Sequence, residues 1–300
     1  MYRYSYDGAG NLVQVKNDSQ TQVLKSYTYT PAGLLATATF RDKDGNTRTL
    51  TNTWDADSNR VGMNANGTGY SFVYDTTPGI PAVIEESSGG TSVYYIREPG
   101  GELIARVHPT EGIRYYHFDE LGSTRLLTDG SGTVTDRYAY DAYGSLLAHD
   151  RYSDSVDQPY QYVGQLGYYT HYQEPEFGLL QRGVRFYDTE VGRFLSPDPV
   201  ASDPDPYTYA SGSPLRIVDP SGLESDDWSY AIGENNAAVE RASGLVRDLI
   251  VCVLGCAVKE MIPYEALLDT LRFPPGRPPK NWWLNPKYIG KIKLGLGSPG

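Results

Sequence analysis

Tyrosines that alternate along the chain and stop at a turn, again and again at one interval, constrain this sequence more than any other feature. Tyr6-Asp7-Gly8-Ala9-Gly10-Asn11-Leu12 is the clearest copy, and Tyr140-Asp141-Ala142-Tyr143-Gly144-Ser145-Leu146 repeats its plan. Tyr29-Thr30-Pro31-Ala32-Gly33-Leu34, Phe118-Asp119-Glu120-Leu121-Gly122-Ser123 and Trp54-Asp55-Ala56-Asp57-Ser58 are looser versions. Alternation with period two places side chains on one face of a β-strand. Each residue type has its own role at the turn, where aspartate bonds the backbone two residues on, glycine takes φ > 0, and the aromatic covers the corner of the hairpin. Successive motif aromatics at Tyr6, Tyr29, Trp54 and Tyr74 are 23, 25 and 20 residues apart, followed by 44 to Phe118 and 22 to Tyr140. A weaker copy at Tyr95 with Gly100 divides the long interval. Such a period means a hairpin repeat, no unit of which can bury its apolar face alone. The expected fold class is mainly β: a curved antiparallel sheet of hairpins over residues 1 to 180, with alternate tyrosines on the packed face. An ordinary Tyr-rich β-domain has no reason to keep one interval.

Charge and cysteine content narrow the functions open to such a sheet. The 300-residue chain carries a net charge of -11, and the imbalance lies entirely upstream of residue 224, where 17 Lys and Arg face 28 Asp and Glu, against 9 and 9 beyond. A surface that acidic repels phosphates, which disfavours non-specific nucleic-acid binding by residues 1–223. Both cysteines, Cys252 and Cys256, fall beyond that point, so the body has no disulfide framework and no thiolate metal site. The longest unbroken apolar run, Leu249 to Val258, is shorter than the roughly 18 residues of a bilayer span, and Met1 to Asp7 lacks the pattern of a secretory signal peptide. Asp42-Lys43-Asp44-Gly45-Asn46 has the opening of a calcium loop, but its glycine comes early and Thr53 stands where the closing glutamate belongs, so it reads as a hairpin turn. His108, His117, His149 and His171 show no ligand spacing and read as structural. No cofactor or metal is expected.

These repeats resemble the tyrosine-aspartate repeats of the bacterial RHS family. The resemblance is sharpest at Tyr116-His117-Phe118-Asp119, at Tyr138-Ala139-Tyr140-Asp141, and at Arg185-Phe186-Tyr187-Asp188 through Gly192-Arg193-Phe194-Leu195-Ser196-Pro197-Asp198-Pro199. Tyr207-Thr208-Tyr209 and Val218-Asp219-Pro220-Ser221-Gly222-Leu223 complete a string that looks like the RHS repeat-associated core. The resemblance implies a β-repeat shell around a C-terminal toxin, with the core sealing the shell and cutting the toxin free. Its partners would be the chain's own tail as cargo, a cognate immunity protein and a secretion apparatus. The implied product is a secreted or cell-surface effector made in the cytoplasm. The chain begins inside a repeat and its roughly eight units are too few to close a shell. The expectation is therefore the C-terminal part of a longer protein or a truncated gene. The expected organisation is repeats over 1–110, core over 111–223 and a variable tail over 224–300.

Asp198 and Asp219, each followed by proline, stand 21 residues apart. Spacing alone shows two turn-prone acids, since proline restricts the residue before it to extended geometry, and Asp203-Pro204-Asp205-Pro206 reads as turns. Two carboxylates about 3 Å apart cannot both ionise and share a proton, the arrangement of an aspartic-protease pair. The resemblance assigns the self-cleaving site to Asp198 and Asp219, supported by Arg185, with the cut between Leu223 and Glu224. The alternative is a β-repeat adhesin or carbohydrate-binding module without catalysis, which has no reason to end in Asp-Pro-Ser-Gly-Leu and then change character.

The character does change. Ala238, Ala242, Leu245, Leu249, Val253 and Cys256 recur at helical spacing up to Pro263, and a short second helix is expected over 264–272. Cys252 and Cys256 share a face of the first helix and read as core. From Arg272 onward there are six basic residues and no acidic one, beside Trp282 and Trp283, which suits a membrane or nucleic-acid partner for the tail and equally suits a solvated basic end. The tail has no histidine, which excludes the histidine-metal nucleases and the His-x-Glu zinc deaminases.

Overall fold

Fourteen strands follow one another in a single antiparallel meander, each paired with its neighbours in the chain. They are β1 Tyr2–Tyr6, β2 Leu12–Asn17, β3 Val23–Tyr29, β4 Leu35–Arg41, β5 Thr47–Trp54, β6 Arg60–Ala65 and β7 Thr68–Asp75. The second half comprises β8 Ala82–Ser88, β9 Thr91–Arg97, β10 Leu103–His108, β11 Gly112–Phe118, β12 Thr124–Asp129, β13 Val134–Tyr140 and β14 Leu146–Arg151. The computed structural model describes residues 2–78, 80–200, 204–219 and 221–223, and the backbone of 226–227. The chain divides into two units, Met1–Ser243 and Gly244–Gly300, and all the described residues belong to the first. The expected tail helices, Cys252, Cys256 and the basic end lie outside the described residues.

The motif turns fold as their residue types dictate. Asp7 Oδ1 accepts the N–H groups of Ala9 (2.9 Å) and Asn11 (2.8 Å), while the Gly10 N–H closes on the Asp7 carbonyl (3.1 Å). Asp55, Asp119 and Asp141 repeat the same pair of side-chain contacts two and four residues on. The segment at Asp42 is the hairpin turn expected of it, with Oδ1 taking the N–H groups of Asp44 and Asn46. The motif aromatic does more than cover a corner. Tyr29 OH donates to the Leu12 carbonyl (2.8 Å), Trp54 Nε1 to Leu35 (2.9 Å), Tyr74 OH to Arg60 (3.2 Å) and Tyr140 OH to Thr124 (3.0 Å). Each bond ties one hairpin to the first residue of the preceding hairpin's second strand.

That contact corrects the weak copy placed at Tyr95. Arg97 Nε donates to the Val83 carbonyl (2.9 Å), so Arg97 occupies the motif position and Tyr95 is the inward-facing residue two before it. In this repeat an arginine supplies the donor that a phenol or an indole supplies in others.

The sheet stops at Arg151 rather than near residue 180. Past that point Pro159, Gly164 and Gly167 interrupt the alternation, and Tyr160 and Tyr169 turn onto the sheet instead of extending it. One core joins Leu12, Tyr27, Leu35, Phe40, Leu50, Phe72, Tyr95, Tyr116, Leu127 and Tyr138 of the sheet to Val156, Tyr160, Tyr169, Phe177, Phe186 and Leu195 of the later segment. Burial of each such side chain stabilises by about 1.5–3 kcal/mol. The later segment carries a small antiparallel sheet of β15 Tyr169–Thr170, β16 Leu179–Arg182, β17 Arg185–Asp188 and β18 Arg193–Phe194. A second core, with Tyr162, Tyr168, Leu180, Tyr187, Phe194, Tyr209 and Val218, lies on this sheet.

Candidate functional site around Arg185, Asp198 and Asp219

Arg185 opens β17, a strand whose four residues are all buried. Its guanidinium lies 3.6 Å from the Phe194 ring centroid, a cation over a π face that holds the group in place while leaving its edge free to donate. Nη2 approaches both predicted carboxylates, standing 3.1 Å from Asp219 Oδ2 and 3.9 Å from Asp198 Oδ2. Nη1 donates to the Pro206 carbonyl (3.4 Å) and Nε to the Gly222 carbonyl. The three residues singled out in the sequence therefore converge on one nitrogen. Burial pushes the guanidinium down from its ordinary range, and the two carboxylates pull against that shift.

Asp198 leaves β18 through Leu195-Ser196-Pro197, with its N–H on the Pro206 carbonyl (2.8 Å) and its Oδ1 accepting the Val200 N–H (2.8 Å). Asp219 is almost completely buried and follows a two-residue strand, β19 Ile217–Val218. Its Oδ1 accepts the N–H of Leu223 (3.0 Å), the residue before the predicted cut. Burial raises the Asp219 carboxyl, and the Arg185 and Arg182 guanidinium groups and the N–H groups of Gly222 and Leu223 oppose the rise. Glu224 lies outside the described residues. Just beyond it the backbone of β20, Asp226–Asp227, pairs with β19, so the chain is held on both sides of the Leu223–Glu224 bond.

Two glycines let the chain run this close. Gly222 (φ +74°) and Gly183 (φ +51°), in the β16–β17 turn, face each other backbone to backbone: a Cβ on Gly222 would strike the Arg182 carbonyl, and one on Gly183 the Ser221 carbonyl. Two residues that the sequence did not single out complete the surroundings. Tyr168 OH donates to the Asp219 carbonyl (2.8 Å) and accepts the Asp219 N–H (3.1 Å), and Arg182 Nε donates to the same carbonyl (3.2 Å). Tyr168 sits in a Tyr-Tyr pair like Tyr94-Tyr95 and Tyr115-Tyr116. Only its contact 51 residues away distinguishes it.

The Teneurin YD-shell family model matches residues 1–208. Similar proteins include the tRNA3(Ser)-specific nuclease WapA of Bacillus spizizenii, 26% identical over 257 residues, covering 73% of this chain and 11% of the relative. Double-stranded DNA deaminase toxin A of Burkholderia cenocepacia is 29% identical over 241 residues, covering 77% of this chain and 16% of the relative. This chain thus spans well under a fifth of either protein. The crystal structure of TcdB2-TccC3-Cdc42 aligns with a TM-score of 0.51 at 18% identity, over 79% of this chain and 14% of that one, a likeness of fold. With its hairpin repeats, its shared core and this match along more than two thirds of its length, the chain belongs to the Teneurin YD-shell family of RHS-type repeat proteins.

Proposed function

We propose that this chain is the shell-and-core part of an RHS-type toxin that hydrolyses its own Leu223–Glu224 bond and so frees the segment from 224 onward as the effector. The observation that carries this reading is the convergence of Asp198 and Asp219 on Arg185 Nη2 while Asp219 Oδ1 holds the Leu223 N–H. Burial pushes the Asp219 carboxyl up, so in this reading it has the role of acid and Asp198 that of base. Asp198 takes a proton from water, whose oxygen attacks the Leu223 carbonyl carbon, and Asp219 gives its proton to the carbonyl oxygen. As the tetrahedral intermediate collapses, Asp198 passes the proton it took from water to the Glu224 nitrogen while Asp219 takes a proton back from one of the two hydroxyls, so the C–N bond breaks to a carboxyl group on Leu223 and an amine on Glu224. Arg185 keeps the pair from accumulating two uncompensated negative charges. In this reading residues 1–223 supply a segment of the shell and its core, and the tail is cargo. A cognate immunity protein and a secretion apparatus are the partners, and the tail acts on a membrane or a nucleic acid. The names of the relatives, a tRNA nuclease and a DNA deaminase toxin, support an effector of this kind.

Intact mass measurement of freshly folded protein tests the reading. The expected species have 223 and 77 residues, and Asp198→Asn and Asp219→Asn each leave the 300-residue chain whole, because an amide neither shares the proton nor serves as a base. Arg185→Ala slows or stops the cut, and Asp203→Asn leaves it unchanged. Wild-type protein found only at full length would overturn the reading.

A further inference from the structure

We infer that Tyr168 and Arg182 are positioning residues of this self-cleaving site, gripping Asp219 by its main chain so that its carboxyl meets the Leu223 segment; the inference rests on the reading just given. Asp219 is both a reacting group and part of the chain to be cut, four residues upstream of Leu223. Such a short excursion serves catalysis only if it cannot slip against the rest of the site, because a displacement of about 1 Å costs on the order of a hundredfold in rate. The Asp219 side chain already spends its two oxygens on Arg185 and on the Leu223 segment that is to be cut.

The grip is on the backbone. Tyr168 is fully buried, and its single hydroxyl both donates to the Asp219 carbonyl and accepts from the Asp219 N–H. Arg182 adds a donor to the same carbonyl and lies 5.1 Å from the Tyr168 ring centroid, so the two clamp residues also hold each other. Tyr209 OH, 3.2 Å from Tyr168 OH, supports the phenol from the other side. A second hold lies three residues on, where Arg185 Nε donates to the Gly222 carbonyl and the lack of a side chain at Gly183 and Gly222 lets the two backbones approach. Arg182 bears on both places, by its guanidinium at Asp219 and by its carbonyl close to Gly222. Held at Asp219 and again at Gly222, the backbone has a fixed register, and the Asp219 carboxyl falls on the Leu223 N–H.

Arg182 also acts through charge. The groups facing the Asp219 carboxyl are Arg185 from β17, Arg182 from β16, the Tyr168 phenol, and Asp198 across the shared guanidinium. Arg182 favours the ionised carboxylate, so a neutral residue at 182 lets Asp219 keep its proton to higher pH. A merely structural clamp would leave the pH dependence of cleavage where it was.

The test uses the full chain. Uncut precursor of Tyr168→Phe, Arg182→Gln and Arg182→Lys is incubated from pH 4 to 9, with cleavage rates read by intact mass and folding by thermal melting. Tyr168→Phe and Arg182→Gln should cut at least tenfold more slowly than wild type, still after Leu223. The alkaline limb of the Arg182→Gln profile should move to higher pH, and Arg182→Lys should return it. If wild type cuts, Asp219→Asn does not, and both variants cut at the wild-type rate with an unmoved profile, the inference falls and the self-protease reading stands. Absence of cleavage in wild type removes both. Should Arg182→Gln fail to fold, Tyr168→Phe, which removes one oxygen, decides the matter by its rate.

Discussion

Arg60 is a buried cation with a histidine and a thioether among its hydrogen-bond partners. Its guanidinium lies 4.5 Å from the Phe72 ring centroid and 4.4 Å from that of Tyr169, with Nη1 2.8 Å from His171 Nε2 and 3.2 Å from Met63 Sδ. Arginine has only donors, so His171 Nε2 must be bare and the ring proton must sit on Nδ1, where it is donated to the Leu179 carbonyl (3.1 Å). Burial first and the Arg60 charge second hold His171 well below the ordinary histidine range. The unfolded chain takes up a proton at this residue near pH 6.5 and the folded chain refuses it. The stability due to neutral His171 is therefore present above that pH and is lost, on the order of 1 kcal/mol for each pH unit, as pH falls from there toward the folded value. His171→Gln, which keeps an acceptor for Arg60 and cannot titrate, should lose less melting temperature than wild type between pH 7.5 and 5.5. An equal loss in both proteins would show that Arg60 and His171 are not coupled in this way. Histidine spacing identified a structural role for His171 but not this partner, 111 residues upstream. The candidate site divides in the same manner. Arg185, Asp198 and Asp219 stand in a recognisable string, whereas Tyr168 and Arg182 carry no local mark, since a tyrosine and an arginine in this chain serve the core just as often.

At the scale of the element, each hairpin contains an irregularity that strict alternation hides. The register shifts by one residue opposite the motif aromatic, between Ser5 and Tyr6, Thr28 and Tyr29, Thr53 and Trp54, and again at Tyr74, Phe118 and Tyr140. The second strand of each hairpin thereby presents inward residues three apart where the shift falls: Leu12 and Val15, Leu35 and Ala38, Arg60 and Met63, all buried. A β-bulge of this kind re-aims side chains and strengthens local twist. It also lines up the donor at the motif position with the preceding hairpin's carbonyl. Tyr29→Phe and Tyr140→Phe should each cost about 1 kcal/mol by removing one net hydrogen bond, and Arg97→Met should cost at least as much, measured by urea unfolding with unchanged m-value. Phe118 lacks a donor and marks the repeat where that bond is not made. The hairpins themselves were legible because their turns close through contacts two to four residues apart. The bulge was not, because an extra residue on one strand registers only against its partner.

The whole molecule depends on a division of labour between sheet and later segment. The sheet buries one face against residues 156–195, and both edge strands, β1 and β14, are largely exposed. A chain ended after Arg151 keeps every hairpin turn but uncovers Leu35, Phe40, Leu50 and Leu127, each at most 2% exposed in the intact body. Such a truncation should lose cooperative thermal unfolding and self-associate on size-exclusion chromatography; a monomer with an intact melting transition would show the sheet to be self-sufficient. The repeat interval, turn chemistry, antiparallel pairing and the acidic character of the body follow from the sequence by itself, because each rests on local motifs or on composition. Where the sheet ends, that Arg97 rather than Tyr95 fills a repeat position, and that Arg185 meets Asp219 and the Gly222 carbonyl across 34 and 37 residues were decided only by tertiary structure. No local interaction specifies such distances. They are set when the later segment covers the apolar face of the sheet, and that burial brings the site together.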